Sequence, residues 1–127
     1  MAEAAVSKKK ILVVEDEQAL LTLQSMLLSI EGYTVEGVMD GQTALDVVET
    51  MKPDLILLDI MLPEVDGFQV CRQLKSNEAT CHIPIIILTA KKSKEDLIIG
   101  EQSGADMYIT KPYKTSMVIE AIQRLLS

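Results

Sequence analysis

Asp54-Leu55-Ile56-Leu57-Leu58-Asp59, continued by Ile60-Met61-Leu62-Pro63-Glu64-Val65-Asp66-Gly67, is the stretch whose reading decides the fold. Four consecutive apolar residues with an acid at each end, closed off by Pro and Gly, predict a short strand buried on both faces. Strands in a parallel sheet covered by helices take this form. Asp59 then stands at the carboxyl end of the strand. In open α/β sheets ligands bind along that edge, so a carboxylate delivered there meets solvent, substrate or metal. Taken alone, an Asp at a strand end serves equally well to cap the turn that follows, and the rest of the chain has to separate the two readings.

The chain has 127 residues, enough for one domain with its own core. Nineteen acids against twelve bases leave a net charge of -7, which repels phosphate backbones and argues against nucleic-acid binding by this chain. One Phe, three Tyr and no Trp offer little for base stacking. The basic runs Lys8-Lys9-Lys10 and Lys91-Lys92 with Lys94 are short and read as solvated surface. Cys71 and Cys81 lack metal-ligand spacing and are expected to be reduced packing residues. The methionines are expected to fill the core, and His82 to lie in a loop as a structural or solvated residue rather than a phosphotransfer group. Residues 1–9 read as a flexible lead and 10–127 as the folded unit. With no apolar signal segment and no span of about 18 apolar residues, a soluble cytoplasmic protein is expected.

Working outward, Ile11-Leu12-Val13-Val14 predicts a second buried strand, running directly into Glu15-Asp16-Glu17. From Gln18 the period changes: Leu20, Leu23, Leu27 and Ile30 recur at steps of three and four, predicting an inward helix face that ends at Gly32. A strand over 33–38 follows, then a helix capped by Asp40 with Ala44, Val48 and Met51 inward. After the central strand, Phe68, Cys71 and Leu74 mark a third helix. A polar loop over 76–83 leads to a strand over 84–88 that ends in Thr89-Ala90. Ser93 and Asp96 form a capping box for a helix to about Ser103, before a short strand over 106–109. Lys111-Pro112 closes that strand, and Val118, Ile122 and Leu125 mark the last helix. Five alternations of strand and helix with short connections predict a parallel sheet covered on both faces.

Right-handed crossovers place all five strand ends on one edge, so Glu15, Asp16, Asp59, Thr89 and Lys111 converge there. Three carboxylates in one cleft raise one another's pKa unless a cation sits among them, and an all-oxygen set suits Mg²⁺. A lysine and a threonine hydroxyl add a positive charge and a donor for a phosphoryl group. Asp59 beside a metal is then a nucleophile able to form an aspartyl-phosphate.

These stretches, together with Leu88-Thr89-Ala90 and Gly104-Ala105-Asp106-Met107-Tyr108-Ile109-Thr110-Lys111-Pro112, make the sequence over 10–126 resemble the receiver domain of two-component response regulators. The resemblance implies a doubly wound five-stranded sheet of flavodoxin-like order 2-1-3-4-5 with five helices. It implies that Asp59 is the phospho-acceptor, served by a sensor histidine kinase or a phosphotransfer protein. Glu15, Asp16, Asp59 and the Met61 backbone carbonyl hold Mg²⁺ on this reading, Lys111 and Ala90 contact the phosphoryl group, and Thr89 and Tyr108 are the switch pair. The Lys111–Pro112 peptide bond is expected to be cis. Such a module is no enzyme in the ordinary sense, although it catalyses its own phosphotransfer and dephosphorylation. It acts through the face of the fourth helix, fifth strand and last helix on an output domain or downstream protein, with no membrane partner. Met107 stands where the dimerising transcription-factor subfamily usually has an acid, which sets this chain apart from that dimer mode. Two other readings share the architecture. An Mg²⁺-dependent phosphatase of the haloacid dehalogenase type needs an acid two positions after the nucleophile, where Met61 stands. A flavodoxin-like mononucleotide-binding module needs a phosphate loop where Glu15-Asp16-Glu17 stands.

Overall fold

The structure, a computed structural model, describes residues 8–127. Of the expected lead over 1–9, residues 1–7 lie outside the described residues, while Lys8 and Lys9 are exposed. Five strands, β1 (Lys10–Val14), β2 (Thr34–Val38), β3 (Leu55–Leu58), β4 (Ile85–Thr89) and β5 (Met107–Thr110), alternate with five helices. The helices are α1 (Gln18–Ile30), α2 (Gly41–Met51), α3 (Gly67–Ser76), α4 (Lys94–Gln102) and α5 (Thr115–Leu126). All strand pairs are parallel, in the order β2-β1-β3-β4-β5, as the resemblance implies.

Strand side chains alternate between faces, so each central strand feeds two cores. Leu12, Val14, Ile56, Leu58, Ile85 and Ile87 meet Ala44 and Val48 of α2 and Phe68, Cys71 and Leu74 of α3. Ile11, Val13, Leu55, Leu57, Ile86 and Leu88 meet Leu21 and Leu28 of α1 and Val118, Ala121 and Ile122 of α5. Every residue of β3 is buried, so Leu55 to Leu58 each contribute on the order of 1.5–3 kcal/mol of burial.

Local signals work as written in the chain. The Asp40 side chain accepts from Thr43 N–H at 2.8 Å and opens α2. The Ser93–Asp96 capping box is complete at the start of α4. Gly32, at φ +102°, takes the left-handed position just past α1. The Lys111–Pro112 bond is cis.

Three expectations are corrected. The inward face of α1 is Leu21, Gln24 and Leu28, whereas Leu23 and Ile30 are exposed. Leucines at 20, 21, 23, 27 and 28 supply two overlapping stripes, and burying Gln24 is tolerable because its amide finds a partner. None of the described methionines is a buried core residue: Met26, Met39, Met61 and Met117 are exposed, and Met51 and Met107 only lean on the core. The β-branched and leucine side chains of the strands already fill the interior. Cys71 is buried, but Cys81 is exposed in the loop before β4, next to the equally exposed His82.

Candidate functional site

Register builds the site. Val14 pairs with Leu58, and Asp59 N–H donates to the Val14 carbonyl at 3.0 Å, so the residues that follow β1 and β3 lie side by side. Thr89 pairs with Thr110, and Lys111 N–H donates to the Thr89 carbonyl at 2.8 Å. Four loops thereby empty onto one edge.

Glu15, Asp16 and Asp59 each place one carboxylate oxygen within 4.8 Å of the others. Glu15 and Asp59 are 3% and 6% exposed, while Asp16 faces solvent. The Lys111 ammonium stands between the two buried acids, 3.2 Å from Glu15 Oε1 and 3.1 Å from Asp59 Oδ2. Met61 N–H donates to Asp59 Oδ1 at 2.9 Å, so both carboxylate oxygens are oriented. Burial, then the Asp59 charge, holds the Glu15 carboxyl above its ordinary value, against the opposing pull of Lys111. For Lys111 burial works against the ammonium, yet the charges of Asp59 and Glu15 and the bonds to both outweigh it and raise its pKa.

The loop after β3 is drawn tightly over the acids. A Cβ at Gly67 would collide with Ile60 Cα and the Asp59 carbonyl oxygen, so only glycine permits that approach. Glu64 takes φ +66°, with Val65 N–H donating to the Pro63 carbonyl at 2.7 Å across a tight turn. The exposed Met61 and Lys91 line an open cleft with Asp16 and Glu64 beside the acids.

Thr89 ends β4 fully buried, and its hydroxyl accepts from Lys91 N–H at 3.4 Å. No hydrogen bond joins it to Asp59 among the described residues. Ala90 follows, exposed at the mouth of the site. The Tyr108 hydroxyl donates to the Lys91 carbonyl at 2.7 Å, so the Lys91 backbone touches both Thr89 and Tyr108. Burial, then Asp96 and Asp59, pushes the Tyr108 phenol up to about 12. Glu15, Asp16, Asp59, Met61, Thr89, Ala90 and Lys111 thus lie at this edge, while Tyr108 sits within β5 and meets the site loop through its hydroxyl at the Lys91 carbonyl.

Two residues with no signal in the sequence stand next to them. Gly100 of α4 carries the Tyr108 ring: a Cβ there would lie 2.6 Å from Cδ2. Gln24 of α1 hydrogen-bonds Tyr113. A glycine inside a helix and a glutamine on an apolar face have many uses, and only the tertiary contacts distinguish these.

The response regulator receiver domain family matches residues 11–123. The chain is 45% identical over 118 residues to the alkaline phosphatase synthesis transcriptional regulatory protein PhoP of Bacillus subtilis, covering 93% of this chain and 48% of that protein. It is 41% identical over 117 residues to the DNA-binding dual master transcriptional regulator RpaA of Synechocystis, covering 92% of this chain and 48% of that protein. The chain therefore spans about half the length of these curated relatives. Among solved structures, the signal receiver domain of a signal transduction histidine kinase from Syntrophus aciditrophicus superposes with a TM-score of 0.88 at 36% identity, over 93% of this chain and 89% of that one. No helix among the described residues is long and apolar enough to cross a membrane. The chain belongs to the receiver domains of two-component response regulators.

Proposed function

We propose that this receiver module, residues 10–127, takes a phosphoryl group on Asp59 from a sensor histidine kinase or phosphotransfer protein and passes the change to an output partner. The observation that carries the reading is the Lys111 ammonium, 3.1 Å from Asp59 Oδ2, within a set of three carboxylates. One Asp59 oxygen attacks phosphorus as the P–N bond of the donor phosphohistidine breaks and its electron pair leaves with the imidazole. The product is an acyl phosphate on Asp59. Met61 N–H and Lys111 hold the carboxylate in one orientation for that in-line approach. Lys111 and the backbone near Ala90 then meet the phosphoryl oxygens.

The donor set fits a hard divalent ion. It offers oxygen only, three carboxylates within 4.8 Å, and more negative charge than one ammonium offsets. Glu15, Asp16, Asp59 and the Met61 backbone carbonyl would hold Mg²⁺, which when bound offsets the charge of the carboxylates and the incoming phosphoryl oxygens.

Thr89 and Tyr108 form the switch. A phosphoryl group adds nearly two negative charges. Drawing the Thr89 hydroxyl toward them takes it from Lys91 N–H, and the loop that also anchors Tyr108 is released. The face made by α4, β5 and α5 shifts between pre-existing states and reports to an output domain or downstream protein. A net charge of -7 argues against a DNA contact by this module itself, and the module is read as working in a cytoplasmic setting.

The test is labelling by a small acyl phosphate with Mg²⁺, read as the mass gain of one phosphoryl group. Labelling is expected to vanish in Asp59→Asn and with chelator. Labelling of the variant would move the acceptor elsewhere, while phosphatase turnover or flavin absorbance would favour the two readings that share this architecture.

A further inference from the structure

Gln24 is buried on the inner face of α1, and its Nε2 donates to the Tyr113 hydroxyl at 2.7 Å, across 89 positions of sequence. A buried amide is costly unless bonded, so its place among Leu21, Leu28 and Leu57 calls for a reason. Tyr113 lies two residues past Lys111. Upstream, Lys111 is tied to β4 by its own N–H. Downstream, Pro112 has no N–H, and no backbone bond joins Pro112 or Tyr113 to the rest of the fold among the described residues. Between Lys111 and the first turn of α5, the Gln24–Tyr113 bond is, among the described residues, the one hydrogen bond that fixes the chain. Gln24 also lines a void too small for a water molecule, shared with Glu15 and Asp59. The acids that Lys111 meets and the anchor of its following turn therefore border the same small void.

We infer that Gln24 is a positioning residue for phosphotransfer, acting through Tyr113 to hold the Lys111 ammonium where it meets the phosphoryl group on Asp59. This rests on the reading of Asp59 and Lys111 given above. A lysine has a long flexible stem, and an ammonium that bridges two acids at 3.1 and 3.2 Å needs its backbone fixed on both sides. The β4 bond supplies one side and Gln24 the other.

The test compares wild type with Gln24→Leu, Tyr113→Phe and the double variant. Mg²⁺ affinity is measured by calorimetry and beryllofluoride affinity by ¹⁹F NMR, each beside a thermal melt. Lys111 is no metal ligand on this reading, so Mg²⁺ affinity should stay within about twofold of wild type while beryllofluoride binding weakens roughly three- to tenfold in each single variant, the scale of one neutral hydrogen bond. The double variant restores an apolar pair and should recover the melting temperature without recovering beryllofluoride affinity. Unchanged beryllofluoride binding in the single variants overturns the inference. So does recovery of both properties in the double variant, which would make the pair core packing, or parallel loss of Mg²⁺ and beryllofluoride, which would mean a general disturbance. A wild type that binds no beryllofluoride overturns the functional reading itself, a separate result.

Discussion

Asp59→Asn should make the metal-free protein more stable while abolishing phosphorylation. The charge of Asp59 is attracted to Lys111 at 3.1 Å and repelled by Glu15 within 4.8 Å. At an effective dielectric near 20 these are about 5 kcal/mol of attraction and about 3 kcal/mol of repulsion. Asp16, exposed and screened by water, adds a smaller repulsion. The Coulomb contributions leave about 2 kcal/mol of net attraction, less than the desolvation cost, so desolvation decides the sign. Asp59 is 6% exposed, and an ion buried to that degree costs several kcal/mol, only part of which the Met61 N–H bond returns. An asparagine keeps a carbonyl for Met61 N–H, leaves Lys111 with Glu15, and removes the buried charge. A gain of about 1–2 kcal/mol, or roughly 3–8 °C in Tm, is expected in EDTA. Saturating Mg²⁺ should narrow or reverse the order, since wild type gains about 2.7 kcal/mol at one hundred times Kd and the variant has one anionic ligand fewer. Thermal melts of both proteins with and without Mg²⁺ make the measurement. An Asn variant that melts lower than wild type in EDTA would refute the claim that burial of this charge outweighs its pairing.

Thr89→Ala should accept phosphate yet transmit little, because the Lys91 N–H loses the partner whose movement frees the loop; equal beryllofluoride-induced changes in α4 amide exchange for wild type and variant would sink the coupling. The phosphorylated form should be long-lived, because neither Met61 nor Lys91 can orient or deprotonate an attacking water. Met61→Asn with Lys91→Glu should speed decay about tenfold, a barrier change of about 1.4 kcal/mol, read as loss of phosphoprotein after donor removal. Gly100→Ala should drive the Tyr108 ring off α4, since the added methyl would lie 2.6 Å from the ring, and a shift of the Tyr108 signal in fluorotyrosine NMR toward its solvent-exposed position checks it. Glu15 carries a raised pKa, so the folded chain holds that proton more tightly than the unfolded one. Its contribution is fully present below the ordinary value of 4.5 and lost as pH rises through the raised value. Urea unfolding without Mg²⁺ should therefore show Glu15→Gln gaining on wild type as pH rises above 4.5.

The sheet and the acid edge were legible because their signals are local. A short apolar run at Leu55 to Leu58, repeated at Ile11 to Val14 and Ile85 to Leu88, admits few arrangements other than buried parallel strands. Right-handed connection then brings the strand ends together whatever the helices do in detail. Caps such as Asp40 and Ser93–Asp96 are equally local, since donor and acceptor lie within three positions. The rotation of α1 was not legible. Its thirteen residues carry no charge, and leucines on two adjacent stripes leave the apolar pattern without a unique inward direction. Likewise, methionine is apolar enough for a core and flexible enough for a surface, and composition does not choose between them.

The sequence alone determined the order of elements, the parallel pairing and the convergence of Glu15, Asp16, Asp59, Thr89 and Lys111 on one edge, because burial and chain connectivity act through short-range pattern; Met61, Ala90 and Tyr108 were implied by the family resemblance. Tertiary structure alone decided how those residues are held. Lys111 reaches Asp59 and Glu15 across 52 and 96 positions, Tyr108 packs on Gly100, and Gln24 meets Tyr113 across 89. Each of these contacts depends on helix rotation and strand register being settled together. Close packing selects that joint solution for the whole molecule, and no window of the chain contains it.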